Sequence, residues 1–134
     1  MSGPARQNEA IDLVRRILVE LQDAVRAKDR DRTLELFTQD AALLGTGAVS
    51  FGREAVSGYL ELVFGQRGFV RWVWDTVSVL DVRPGAVTFA ALGTVSLEGD
   101  PDSAAEDPIR LTCLAVEEDG HWRLRVFHGS VPAA

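Results

Sequence analysis

Apolar positions recur at helical spacing in the first half of the chain and at nearly every other residue in the second. Ile11, Val14, Leu18, Leu21 and Val25 fall three and four apart, and Leu13, Ile17 and Ala24 widen the stripe, which predicts a long amphipathic helix. The polar run Arg26-Ala27-Lys28-Asp29-Arg30-Asp31 ends it, with Asp31 placed to cap a short second helix holding Leu34, Leu36 and Phe37. Short strands at 41–44 and 48–51 flank a Gly45-Thr46-Gly47 turn. After Gly52 the stripe Val56, Tyr59, Leu60, Val63 and Phe64 predicts a third helix, stopped by Gly65 and Gly68. Four strands should follow, at 69–82, 86–97, 109–116 and 122–128. Arg83-Pro84-Gly85 and Glu118-Asp119-Gly120 are the turns of two hairpins, and the acidic stretch 98–108 reads as a mobile, solvated hairpin tip. Helices followed by a meander of strands predict an α+β fold with helices on one face of the sheet.

Composition narrows the partners. At 134 residues, 46% hydrophobic and 25% charged, the chain fits one globular domain over 9–134 after a disordered tail at 1–8. A domain of this size buries roughly two thirds of its unfolded surface and needs no disulfide or metal to stand. The single cysteine, Cys113, cannot form an internal disulfide, and no secretion signal or membrane-spanning run is evident, so the expected location is cytoplasmic. A formal net charge of −6 and a pI near 4.8 argue against nucleic acid and anionic membranes as partners.

The last hairpin carries a family resemblance. Trp122-x5-His128-x-Ser130 is similar to the C-terminal signature of the SnoaL-like branch of the nuclear transport factor 2 (NTF2)-like superfamily. Gln39-Asp40-Ala41-Ala42 and the helix start Phe51-Gly52-Arg53-Glu54-Ala55-Val56 resemble SnoaL-like domains in the same register. The ending Phe127-His128-Gly129-Ser130-Val131-Pro132 also resembles the association domain of calcium/calmodulin-dependent kinase II, with Val126 replacing that domain's first His. The resemblance implies an NTF2-like cone: N-terminal helices packed on a strongly curved mixed or antiparallel sheet, a conical pocket for a small ligand, and a homodimer formed through the sheet. Members of this superfamily include isomerases, dehydratases, cyclases, hydrolases and inactive proteins, so the fold does not choose a reaction. In ketosteroid isomerase an aspartate is the base. Its place falls here at Gly45, and no Asp, Glu or His occurs between Asp40 and Glu54.

Candidate chemistry is therefore sought on the long strands. Strict alternation puts Trp122, Leu124, Val126 and His128 on one face of the last strand and Arg123, Arg125 and Phe127 on the other. His128 reads as a pocket donor or general base, or else as a structural His bonded to backbone. On the first long strand Trp72, Trp74 and Thr76 share a face, suited to walling an apolar pocket, a dimer contact or the core. Asp75, among apolar residues on the other face, is a candidate acid if it lies in a cavity, and otherwise a surface charge. Arg110 and Thr112 share one face of the third long strand and would anchor an anionic or carbonyl-bearing ligand if that face is concave. Tyr59, the only tyrosine, is a further pocket candidate on the third helix. Cys113, His121 and His128 lack the spacing of a metal site, and no phosphate loop or nucleophile elbow is present, so neither metal nor cofactor is expected. The expected function is binding of a small, mostly apolar molecule. Metal-independent isomerase, lyase or hydrolase chemistry is one extension of it, and a non-catalytic association or sensing module is the alternative.

Overall fold

The computed structural model describes residues 3–45, 47–103 and 105–132. Thr46 of the expected turn, Ala104 of the acidic loop, and Met1 and Ser2 of the expected tail lie outside the described residues. The elements run α1 (Gly3–Arg26), α2 (Arg30–Glu35), β1 (Phe37–Gly45), β2 (Ala48–Phe51), α3 (Arg53–Phe64), β3 (Phe69–Arg83), β4 (Ala86–Glu98), β5 (Glu106–Glu118) and β6 (His121–Ser130).

Helix α1 begins earlier than its apolar stripe, so residues 3–8, expected as tail, are helical. Pro4 falls in the first turn, where a missing N–H forfeits no helical bond. The helix closes with Lys28 at φ 53 and the Asp29 amide donating to the Ala24 carbonyl. Asp29, not Asp31, then caps α2, accepting from the Arg32 amide at 3.1 Å. Asp31 lies two residues further on, within the first turn, where it complements the helix dipole. Helix α2 stops at Glu35, and Phe37, expected on that helix, instead opens β1.

The strands form one six-stranded mixed sheet in the order β2-β1-β6-β5-β4-β3. Only β1 and β6 are parallel, the other neighbours being antiparallel. The helices lie on one side of it, and the buried core sits between: Val14, Leu21 and Val25 of α1, Val56 and Leu60 of α3, and Phe37, Phe89, Leu111 and Leu124 of the sheet. Helix α1 is pinned to the exposed edge of β3 by one side chain. Gln22 Nε2 donates to the Val70 carbonyl at 3.0 Å, and the Trp72 amide donates to Gln22 Oε1 at 2.7 Å. The carboxamide thus takes the place of a missing neighbour strand.

Bulges decide which side chains face the helices. In β6, Val126 pairs with Leu114 but Leu124 pairs with Ala115, so Arg125 is an extra residue. Leu124 and Phe127, three apart, are both buried, while Val126 and His128 turn outward. In β3 the pairing jumps at Asp75 and again at Leu80, giving the inward series Val70, Trp72, Trp74, Val77, Val79 and Val82. Strict alternation would have sent Thr76 inward and Val77 outward. Gly93, opposite Trp74 at the first bulge, accommodates the close approach of β3: a Cβ there would lie 1.9 Å from the Val73 carbonyl oxygen.

Candidate functional site

A cavity of about 240 Å³ lies between the helices and the sheet. Helix α1 supplies Leu21 and Val25, α3 supplies Tyr59 and Phe64, and the sheet supplies Phe37, Trp72, Ile109 and Phe127. Each arrives by a periodicity already described: i, i+4 on the helices, and the phase set by the bulges on β3 and β6. Phe127 contacts both aromatic neighbours, with its ring centroid 6.3 Å from that of Phe37 and 6.3 Å from that of Trp72.

The lining is almost devoid of polar side chains. Among the described residues it contains no Asp, Glu, His, Lys, Arg or Cys. Thr33 spends its hydroxyl on the Asp29 carbonyl at 2.7 Å, and Ser130, at the end of β6, is the other hydroxyl-bearing aliphatic residue on the wall. Tyr59 is the one ionisable residue on the wall, and burial raises its pKa above the ordinary tyrosine value, so it stays a neutral O–H donor. Among the described residues its hydroxyl has no hydrogen-bond partner.

Of the five residues expected to line a pocket, Tyr59 and Trp72 do so. Trp74 faces inward but packs on the core under α1, outside the cavity. Arg110 and Thr112 are exposed on the opposite face of the sheet, where Arg110 pairs with Leu92 and Ser130, and Thr112 with Ala90 and His128. His128 is exposed on that same outer face, between Thr112 and Leu44. Asp75 is the exposed extra residue of the β3 bulge. The two candidate acid/base residues therefore lie outside the cavity and apart from each other. The reason is sheet parity, because Phe127 and His128 are adjacent and only one can face the helices. Phe37 and Phe127 line the cavity without having been expected there. The signal for Phe127 is the adjacent apolar pair Val126-Phe127, which a regular one-faced strand does not contain. Burial pushes the Cys113 thiol far above its ordinary range, with a backbone hydrogen bond from His128 pulling weakly the other way, so this cysteine is an inert core residue. Among the described residues no cluster of three or more His, Cys, Asp or Glu is arranged to hold a metal, and no helix is long and apolar enough to cross a membrane.

A family model for the SnoaL-like domain matches residues 14–134, nearly the whole chain. The chain belongs to the SnoaL-like family. No curated protein sequence matches this SnoaL-like domain. Solved structures do match it. An NTF2-like protein of unknown function from Pseudomonas putida superposes with a TM-score of 0.79 at 17% identity, over 95% of this chain and 89% of its own. A provisionally assigned scytalone dehydratase from Novosphingobium aromaticivorans gives 0.83 at 10% identity, over 97% and 89%. A provisionally assigned calcium/calmodulin-dependent protein kinase II association domain from Xanthomonas campestris gives 0.78 at 20% identity, over 89% and 85%. At these identities the likeness establishes the NTF2-like fold, and the SnoaL-like domain's chemistry has to be argued from its own cavity.

Proposed function

We propose that this SnoaL-like domain binds a small, neutral, mostly apolar molecule in its cavity, held by packing against Phe37, Trp72 and Phe127 and by one hydrogen bond from Tyr59. The observation that carries this reading is the lining, in which Tyr59 is the only ionisable group. An ionised ligand would be desolvated there with no counter-charge, at a cost of several kcal/mol. General acid–base chemistry by carboxylate or imidazole has no residue on that wall, so the geometry favours a binding or sensing domain over an isomerase, lyase or hydrolase. The dehydratase relative belongs to the same fold, but its activity is not carried over.

The test is calorimetric titration with 2-naphthol, a neutral molecule with one oxygen. Saturable binding is expected, weakened by Tyr59→Phe about fivefold to tenfold, equivalent to one hydrogen bond of about 1 kcal/mol. Recovery of the probe unchanged after incubation supports binding without turnover. Unchanged affinity of Tyr59→Phe for naphthol, or equal affinity of wild type for naphthol and for naphthalene, would remove the proposed hydrogen bond.

The outer face of the sheet supports a second element of the reading, pairing with another copy. Val49 and Phe51 are each 69% exposed, Leu92 is 50% and Val73 is 38%, and all four register on this face. Ala42, Leu44, Leu114 and Val126 lie between them, partly buried. These apolar positions share the face with exposed Arg110, Thr112 and His128, a mixed composition of the kind that protein–protein contacts carry. A self-complementary pairing by a two-fold axis closes after two copies.

A further inference from the structure

The internal cavity and a groove on the outside of the molecule share one wall. The groove, about 430 Å³, runs between α1 and the edge of β3, lined by Leu18, Val19, Gln22, Trp74 and Val77. Trp72 lines both spaces. Its indole is held from each side: it stacks on Trp74 with centroids 6.4 Å apart and planes 15° apart, and it tilts at 57° against Phe127 on the cavity side. The backbone beneath cannot slide, because Gln22 bonds both the Trp72 amide and the Val70 carbonyl. The wall is therefore one fixed side chain, with the α1 residues Leu21 on the inner side and Leu18 on the outer.

Cavity size sets what fits. A dry apolar cavity of about 150 Å³ takes one benzene ring. By the same proportion, the space of about 240 Å³ holds roughly ten ring atoms, two fused rings. We propose that Trp72 is the specificity-determining residue of the site: it closes the cavity against the α1–β3 groove and restricts the ligand to a neutral, two-ring-sized molecule. This rests on the cavity reading above. Removing the indole joins the two spaces and admits longer molecules along the line from Phe127 to Trp74.

The experiment compares two neutral aromatic alcohols, 2-naphthol with two rings and 9-phenanthrol with three, by calorimetry on wild type, Trp72→Ala and Val19→Ala, each checked for a cooperative thermal transition. Wild type should bind phenanthrol at least about tenfold more weakly than naphthol, the penalty of one ring left outside the cavity. Trp72→Ala should reverse that order. Val19→Ala, which alters the groove but neither the wall nor its supports, should keep the wild-type preference. Should Trp72→Ala not fold, Trp72→Phe should reduce the preference without abolishing it. Equal binding of the two probes by wild type, or an unchanged preference in whichever Trp72 variant folds, would overturn the assignment of Trp72 while leaving the cavity reading standing. A wild-type protein that binds neither probe overturns the cavity reading and the size limit together.

Discussion

Single atoms decide several features of this domain. Gly93 is the clearest case, since a methyl group there would meet the Val73 carbonyl oxygen at 1.9 Å and the backbone has no room to yield at a bulge between two long strands. Gly93→Ala should therefore lower stability by about 3 kcal/mol or more, read from the urea midpoint. Gly58→Ala is the matched control: nothing lies within 4 Å of its added Cβ, it sits on the exposed side of α3, and it should gain about 0.5–1 kcal/mol. Asp40 makes a different prediction. The Thr38 hydroxyl holds its carboxylate below the usual aspartate pKa, burial opposes that, and Arg125 at 3.2 Å adds to it. A pKa lowered on folding contributes stability that is present above the unfolded value of about 3.9 and is lost as pH falls through the folded value below it. Wild type should exceed Asp40→Asn in urea midpoint at pH 6, and the difference should vanish as the pH approaches 2. A constant difference across that range would show that the carboxylate's charge is not the source.

Among the elements, β3 bears the heaviest constraint. It is 15 residues long and lies at the sheet edge, with α1 covering part of its exposed side. Two bulges twist it, a known device against edge-to-edge association, and turn Val77, Val79 and Val82 inward. Gln22 then satisfies the Val70 carbonyl and the Trp72 amide. Gln22→Leu keeps the volume but strands both groups, and should cost about 1–3 kcal/mol in denaturant unfolding. It should also weaken 2-naphthol binding, because Trp72 is anchored through that amide. Loss of stability without any loss of binding would mean that the aromatic stack alone holds the indole.

For the molecule as a whole, the two sides of the sheet have divided their tasks. The helix side carries the cavity, and the outer side sets Val49, Phe51, Val73 and Leu92 among the exposed Arg110, Thr112 and His128. The proposed pairing predicts a sedimentation mass twice the 14.6 kDa of the chain at micromolar concentration. Leu92→Lys, at a half-exposed position in that face, should yield a folded species of single mass by burying a charge in the contact. A wild type that sediments as a single copy would remove the pairing and leave the cavity untouched.

The order of elements was legible because hydrophobic periodicity reports it directly. The stripe from Ile11 to Val25 marks α1, and all four long strands begin and end within three residues of where their patterns predict. The C-terminal signature was equally legible, and with it the SnoaL-like family. The placement of the candidate side chains was only half so. Tyr59 and Trp72 follow from stripes that run unbroken, whereas His128, Arg110, Thr112 and Asp75 depend on which face of the sheet is concave, and Trp74 on where α1 crosses it. Alternation along one strand assigns residues to two faces without saying which face the helices cover, and each bulge exchanges the faces beyond it. That parity is set by cross-strand pairing between residues far apart in the chain, such as Phe37 with Leu124 and Trp74 with Gly93, and so it exists only once the sheet has formed.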